Sequence, residues 1–227
     1  MPLTAPQAIL FDLDGTLADT APDMAAALNR LRAEQGLGAM PFNEIRPHVS
    51  NGARGLLALG LDIGPEAEEY ERLHKRYLKL YAQDLAVHTS LFPGLDALIE
   101  SLEERALPWG VVTNKPNRLT HRLLDALDLA PAVVVCGDDL SRAKPHPDPL
   151  LFAAGKLRLT PASIWYIGDH ERDIIAGNAA HMPTIAGRWG YLDGERPIEQ
   201  WGASMVIEHP EEIADLLNQA ERQEANA

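Results

Sequence analysis

Two aspartates stand two residues apart in Phe11-Asp12-Leu13-Asp14-Gly15-Thr16, directly after the apolar run Ala8-Ile9-Leu10. A short apolar run of this kind reads as a buried strand, and residues i and i+2 on a strand share a face. Asp12 and Asp14 can therefore converge on one small volume, and Gly15 permits a sharp turn away. Like charges that close repel, so the pair calls for a cation or a retained proton. A hard, oxygen-seeking ion such as Mg2+ fits. Taken alone, the hexapeptide is also how a strand ends in a solvated turn.

A second acidic pair, Asp169 and Asp173, follows the apolar run Ser163-Ile164-Trp165-Tyr166-Ile167-Gly168. Four residues apart at a helix start, both carboxylates share a face near the positive end of the helix dipole. Together with Asp12 they could form an oxygen-rich Mg2+ site. Lys144 lies in Arg142-Ala143-Lys144-Pro145-His146-Pro147-Asp148-Pro149, a loop stiffened by its prolines. A lysine fixed there can neutralise carboxylates and hold a phosphoryl oxygen, and the hydroxyl of Thr113 can donate to the same oxygen. His146 reads as structural, since no other His or Cys stands at ligand spacing. Arg54 sits in Asn51-Gly52-Ala53-Arg54-Gly55, read as a glycine-flanked turn able to approach a ligand closely. Its planar fork matches a carboxylate; a solvated turn arginine is the alternative. The chain has no G-x-x-x-x-G-K-[ST] loop, no H-E-x-x-H and no strand-turn-helix G-x-G-x-x-G. Those absences argue against a nucleotide-driven kinase and a zinc hydrolase.

The elements that must position these groups alternate. Apolar strands are expected at Ala8-Ile9-Leu10, Trp109 to Val112, Val133 to Val135 and Ile164 to Ile167, with short ones near Pro183 to Ala186 and Met205 to Ile207. Continuously apolar strands separated by helices mark a parallel sheet covered on both faces, a doubly wound α/β core. The polar clusters Asp12-Asp14, Thr113-Asn114, Gly137-Asp138 and Gly168-Asp169 all fall at the carboxyl ends of those strands, where open parallel sheets bind ligands. Residues 17 to 89 break the alternation with helices only. They read as an all-helical insertion packed over the sheet's edge, leaving residues 1 to 16 and 90 to 227 as the core. Thr20 and Asp23 have capping-box spacing at the first helix, Pro65 opens a longer helix striped by Tyr70, Leu73, Tyr77, Leu80 and Tyr81, and a frayed polar tail is expected from Arg222.

Composition narrows the class. A chain of 227 residues with 46% hydrophobic content can bury an ample core, and its apolar runs are too short to cross a bilayer. A formal net charge of −13 disfavours nucleic acid and anionic membrane as partners, but not a small anionic substrate. The start, Met1 to Pro6, lacks signal-peptide character, and the single Cys136 reads as a buried strand thiol. A reducing, cytoplasmic setting is expected. Oligomeric state is not legible.

Taken together, Asp12-x-Asp14-Gly15-Thr16, Thr113-Asn114, Lys144-Pro145 and Gly168-Asp169-x-x-x-Asp173 resemble the haloacid dehalogenase superfamily, in order and over nearly the whole chain. The helical insertion resembles that superfamily's small helical cap. The resemblance implies a Rossmann-like core and a phosphatase acting on a small phosphate monoester. Asp12 would be the nucleophile that forms an aspartyl-phosphate, and Asp14 the acid and then the base. Thr113, Asn114 and Lys144 would hold the phosphoryl group. Mg2+ would bind Asp12, Asp169 and the backbone carbonyl of Asp14, with Asp173 supporting that shell and Lys144. Within the superfamily, Asn51 to Gly55, Val87 to Gly94, Trp109 to Arg118 and Gly168 to Asp173 resemble the phosphoglycolate phosphatases and, more closely, the bacterial N-acetylmuramic acid 6-phosphate phosphatases. His170 departs from the small residue common there. A sugar-phosphate mutase shares every core motif, and a phospho-accepting receiver domain shares the Asp, Thr and Lys chemistry.

Overall fold

The computed structural model describes residues 3–192 and 196–226. Met1 and Pro2, read above as part of the chain's start, lie outside the described residues, as does Ala227. The strands in chain order are β1 (Ala8–Phe11), β2 (Ala18–Asp19), β3 (Ser90–Leu91), β4 (Trp109–Val112), β5 (Val133–Val135), β6 (Ile164–Gly168), β7 (Thr184–Gly187) and β8 (Met205–Ile207). The helices are α1 (Ala21–Glu34), α2 (Phe42–Ile45), α3 (Gly52–Leu61), α4 (Tyr70–Gln83), α5 (Leu95–Glu104), α6 (Asn117–Ala126), α7 (Asp148–Leu157), α8 (Glu171–Ala179) and α9 (Glu212–Ala225). Six strands form one parallel sheet in the order β5-β4-β1-β6-β7-β8.

The uninterrupted apolar character of the central strands follows from burial on both faces. Ile9 and Phe11 of β1 pack with Trp109, Val111, Trp165 and Ile167 into one core. The alternate residues Ala8 and Leu10 pack with Val112, Ile164 and Tyr166 into another. A period of two that is apolar at both phases is what a doubly covered strand requires. Strand β1 lies between β4 and β6, where the chain order across the sheet reverses. The crevice beyond the carboxyl ends of strands at such a reversal is the binding position of open α/β sheets. Asp12 begins there.

Helices α1 to α4 lie between β2 and β3, which pair antiparallel as Ala18 with Leu91 and Asp19 with Ser90. The chain thus leaves the core and re-enters it side by side. Tyr70, Leu73, Tyr77, Leu80 and Tyr81 form the buried stripe of α4, as their spacing predicts. That helix starts at Tyr70 rather than at Pro65, the intervening residues forming turns. Thr20 makes no capping bond at α1. Its hydroxyl donates instead to Asp14 Oδ1 at 2.6 Å, while Asp23 accepts from the backbone N–H groups of His88 and Thr89. The stretch 51–55 is also not a turn. A 3-10 segment, Arg46–Asn51, runs into α3 through Gly52 at φ +63°, and Arg54 lies in the first turn of that helix. The expected frayed tail is helical to Ala225, because α9 buries Ile213, Leu217 and Ala220. No helix among the described residues is long and apolar enough to cross a membrane.

Candidate active site

The floor of the site is a meeting of strand ends. Asp12 continues β1, its N–H donating to Ile167 of β6 at 2.9 Å. Gly15, at φ +87°, turns the chain directly over Asp169; a Cβ there would stand 2.2 Å from Asp169 Oδ2. Thr113 prolongs β4, its N–H donating to Val135 at 2.9 Å. Asn114, expected among the phosphate-holding residues, spends its side chain on the next loop. Its Nδ2 donates to the Lys144 carbonyl at 2.8 Å and its Oδ1 accepts from the Lys144 N–H at 3.0 Å. That two-point brace fixes the Lys144 backbone, and the Lys144–Pro145 bond is cis. His146 points into solvent.

Lys144 is buried. Its Nζ lies 2.9 Å from Asp12 Oδ1 and 2.7 Å from Asp173 Oδ1, and it donates to the Val112 carbonyl at 2.9 Å and the Tyr166 hydroxyl at 2.8 Å. Asp173 is held in the first turn of α8, where His170 caps the helix. The His170 N–H donates to Asp173 Oδ2 and the Arg172 N–H to His170 Nδ1. The departure at His170 is thereby accounted for as a helix cap. Asp169 accepts from Thr16 Oγ1 and Ser50 Oγ at 2.9 Å each and from the Tyr191 N–H at 2.9 Å.

Asp12, Asp169 and Asp173 each offer one oxygen within 4.8 Å of the others, all buried. Lys144 pairs with two of these carboxylates, Asp12 and Asp173, and Asp169 has hydrogen-bond donors but, among the described residues, no ammonium. Burial pushes Asp12 up to about 6 against the pull of Lys144. Burial, with the charges of Asp12 and Asp173, pushes Asp169 up to about 7. Burial also opposes the charge on Asp173, but Lys144 outweighs it and holds that carboxyl below the usual range. Asp12 Oδ1 is buried and close to the ammonium, yet has no donor in hydrogen-bond alignment. A hard divalent cation fits this surplus of buried carboxylate oxygen.

Above the floor lies a cavity of about 260 Å³. Asp12, Asp14, Thr113 and Lys144 line one side, and Ser50 to Arg54, His74, Tyr77 and Tyr81 of the helical segment the other. Arg54 is exposed and reaches this space from α3. Three residues that sequence reasoning passed over join the two halves. Ser50 reaches Asp169, Arg172 donates to the Ser50 carbonyl, and Lys115 binds Asp14 and Tyr81. The one available signal was for Lys115, which adjoins Thr113-Asn114. Cys136 is buried, which pushes its thiol up to about 12 and makes it inert.

A family profile described as haloacid dehalogenase-like hydrolase matches residues 9–187. The chain is 42% identical over 216 residues to an N-acetylmuramic acid 6-phosphate phosphatase of Pseudomonas putida, covering 94% of this chain and 97% of that one. It is 40% identical over 210 residues to a phosphoglycolate phosphatase of Xanthomonas campestris pv. campestris, covering 92% and 95%. A crystal structure of a predicted phosphoglycolate phosphatase from Haemophilus somnus superposes with a TM-score of 0.82 at 26% identity, covering 92% of this chain and 97% of that one. With its sheet order and this match along nearly its whole length, the chain belongs to the haloacid dehalogenase-like hydrolase family, among its phosphatases.

Proposed function

We propose that this enzyme hydrolyses a small carboxylated phosphate monoester, N-acetylmuramic acid 6-phosphate, through a phosphoryl group carried transiently on Asp12. The observation that carries the reading is the buried Asp12 carboxylate at the sheet's switch point, beside Lys144 and open to a cavity that also holds Asp14. The Asp12 carboxylate attacks phosphorus. As the P–O bond to the alcohol breaks, Asp14 gives its proton to the leaving oxygen. In the second half, the Asp14 carboxylate takes a proton from water, whose oxygen attacks phosphorus. The Asp12–phosphorus bond breaks and inorganic phosphate leaves. Thr113 and Lys144 hold the phosphoryl oxygens through both halves. Mg2+, held by Asp12, Asp169 and the Asp14 carbonyl with Asp173 behind them, would supply charge stabilisation for the phosphoryl oxygens. At neutral pH Asp12 is mostly ionised even when pushed up to about 6, so it needs no base to activate it.

Residues 17–89 act as a cap in this reading. Substrate choice belongs to them, because the core contacts only phosphate and cation. Arg54 is the cap cation that reads the substrate carboxylate. Phosphoglycolate and N-acetylmuramic acid 6-phosphate both carry that group. The sugar ester fills more of a 260 Å³ cavity than a two-carbon acid does, which supports placing it first. The relatives named for each ester are similarly close to this chain. The lone, buried Cys136 fits a cytoplasmic setting.

Phosphate release from a panel of monoesters tests the proposal. With Mg2+ present, kcat/KM should rank N-acetylmuramic acid 6-phosphate above phosphoglycolate, and both above glucosamine 6-phosphate. Chelation should abolish release, Mg2+ restore it, and Ca2+ fail to substitute, since its looser coordination misaligns Asp12. A preference for phosphoglycolate would move the substrate to the smaller acid. Full activity in chelator would remove the metal from the account.

A further inference from the structure

We propose that Lys115 is the positioning residue of the general acid, fixing which oxygen of Asp14 carries the transferable proton and tying that choice to the helical segment. The inference rests on the reading of Asp14 as acid and base. The ammonium of Lys115 is buried, with only 4% of its side chain exposed. It donates to Asp14 Oδ1 at 2.8 Å and to the Tyr81 hydroxyl at 2.9 Å, and it lies 4.6 Å from the centre of the Tyr81 ring. Thr20 donates to the same Oδ1 at 2.6 Å.

A carboxylate oxygen has two lone pairs. Both lone pairs of Oδ1 are taken, one by an ammonium and one by a hydroxyl. A proton on this carboxyl group therefore belongs on Oδ2, and the two donors orient the plane that aims Oδ2. General acid catalysis depends on that aim, because the proton must meet the leaving oxygen as its bond to phosphorus breaks. Lys115 stands in the loop after β4, whereas Tyr81 belongs to α4 of the helical segment. Burial raises the Tyr81 phenol well above its ordinary value, so it stays a neutral partner. The position of α4 over the core is thus transmitted to Asp14 through one ammonium. The backbone of Lys115 is itself anchored. Its N–H donates to Thr113 Oγ1 at 3.2 Å, and its carbonyl accepts from the Gly137 N–H at 3.0 Å.

A general acid matters most when the leaving group is a poor one. The test therefore uses phenyl phosphates of similar shape and graded leaving-group acidity, from para-nitrophenyl to para-methoxyphenyl. The parameter is kcat/KM, which reports the steps through departure of the alcohol. The wild type should show a shallow dependence on leaving-group pKa and Asp14→Asn a steep one. Lys115→Met should steepen it toward Asp14→Asn. It should lose at least about tenfold on the methoxy ester but stay within about threefold on the nitro ester. Inhibition by inorganic phosphate should be unchanged, and the double variant should be no steeper than Asp14→Asn alone. Tyr81→Phe, which removes only one oxygen, should tilt the line in the same direction by a smaller amount. This keeps the inference testable if Lys115→Met does not fold. Equal losses on every ester, or weakened phosphate inhibition, would make Lys115 a phosphoryl ligand or a purely structural cation and overturn the inference. A shallow line for Asp14→Asn would instead overturn the reading of Asp14, and the inference with it.

Discussion

Withholding divalent cations leaves three buried carboxylates of which one ammonium pairs with two, and the protein's stability should then depend on pH in an unusual direction. Asp12 and Asp169 rise from the ordinary 3.8 to about 6 and about 7 in the fold. A raised carboxyl pKa means that the native state binds protons the unfolded chain has already released. Stability in chelator should therefore fall as pH rises from about 4 to about 7 and level off above that. The experiment runs between pH 6 and pH 8, clear of the isoelectric point near 5.0. Across that window Asp169 takes up most of a proton and Asp12 about half of one, so the unfolding free energy should be about 2 kcal/mol greater at pH 6 than at pH 8. Urea unfolding followed by circular dichroism in chelator measures it. Asp169→Asn should flatten most of the slope. Saturating Mg2+ should stabilise the protein more at pH 8 than at pH 6, because protons compete for the same oxygens. A chelated protein equally stable at both pH values would refute the charge imbalance from which the metal site is argued.

Two further perturbations address neighbouring groups. Lys144→Met removes the ammonium that pairs with both Asp12 and Asp173, and should cost about 3–5 kcal/mol in urea unfolding at pH 8 without Mg2+, the cost of breaking a buried pair from one side; a loss below about 1 kcal/mol would mean the carboxylates are already neutral there. Arg54→Ala should cost about 1.5–3 kcal/mol in kcat/KM on N-acetylmuramic acid 6-phosphate and much less on glucosamine 6-phosphate; equal costs would assign Arg54 to shaping the cavity or binding phosphate.

The core of this fold was legible because its strands are short, doubly buried and punctuated by acids. Ala8-Ile9-Leu10 and Ile164 to Ile167 have no amphipathic phase to confuse, and Asp12 and Asp169 fall where the apolar runs stop. Local signals failed where long-range partners decide the outcome. Thr20 and Asp23 have the spacing of a capping box, but an acid six residues back and a loop 65 residues on claim their side chains. Gly52 and Gly55 read as turn punctuation. Gly52 does take a positive φ, yet Gly55 sits inside α3, where a Cβ would collide with that of Asn51. Ser50 and Arg172 carried no local signature at all, and Lys115 had only its place beside Thr113-Asn114. Their significance comes from being brought against Asp169, Asp14 and Ser50 across 119, 101 and 122 residues of chain.

The covalent role of Asp12 is tested most directly by stopping turnover in acid within milliseconds of mixing enzyme, Mg2+ and ester, then mapping the quenched protein by mass spectrometry. The account predicts one phosphoryl group on the peptide containing Asp12, lost on mild alkaline treatment as an acyl phosphate is. It predicts none in Asp12→Asn, which should keep the fold while turnover falls by at least about three orders of magnitude. An unmodified Asp12 peptide at every quench time, with turnover in Asp12→Asn near that of the wild type, would show that water attacks the ester directly and would contradict the account.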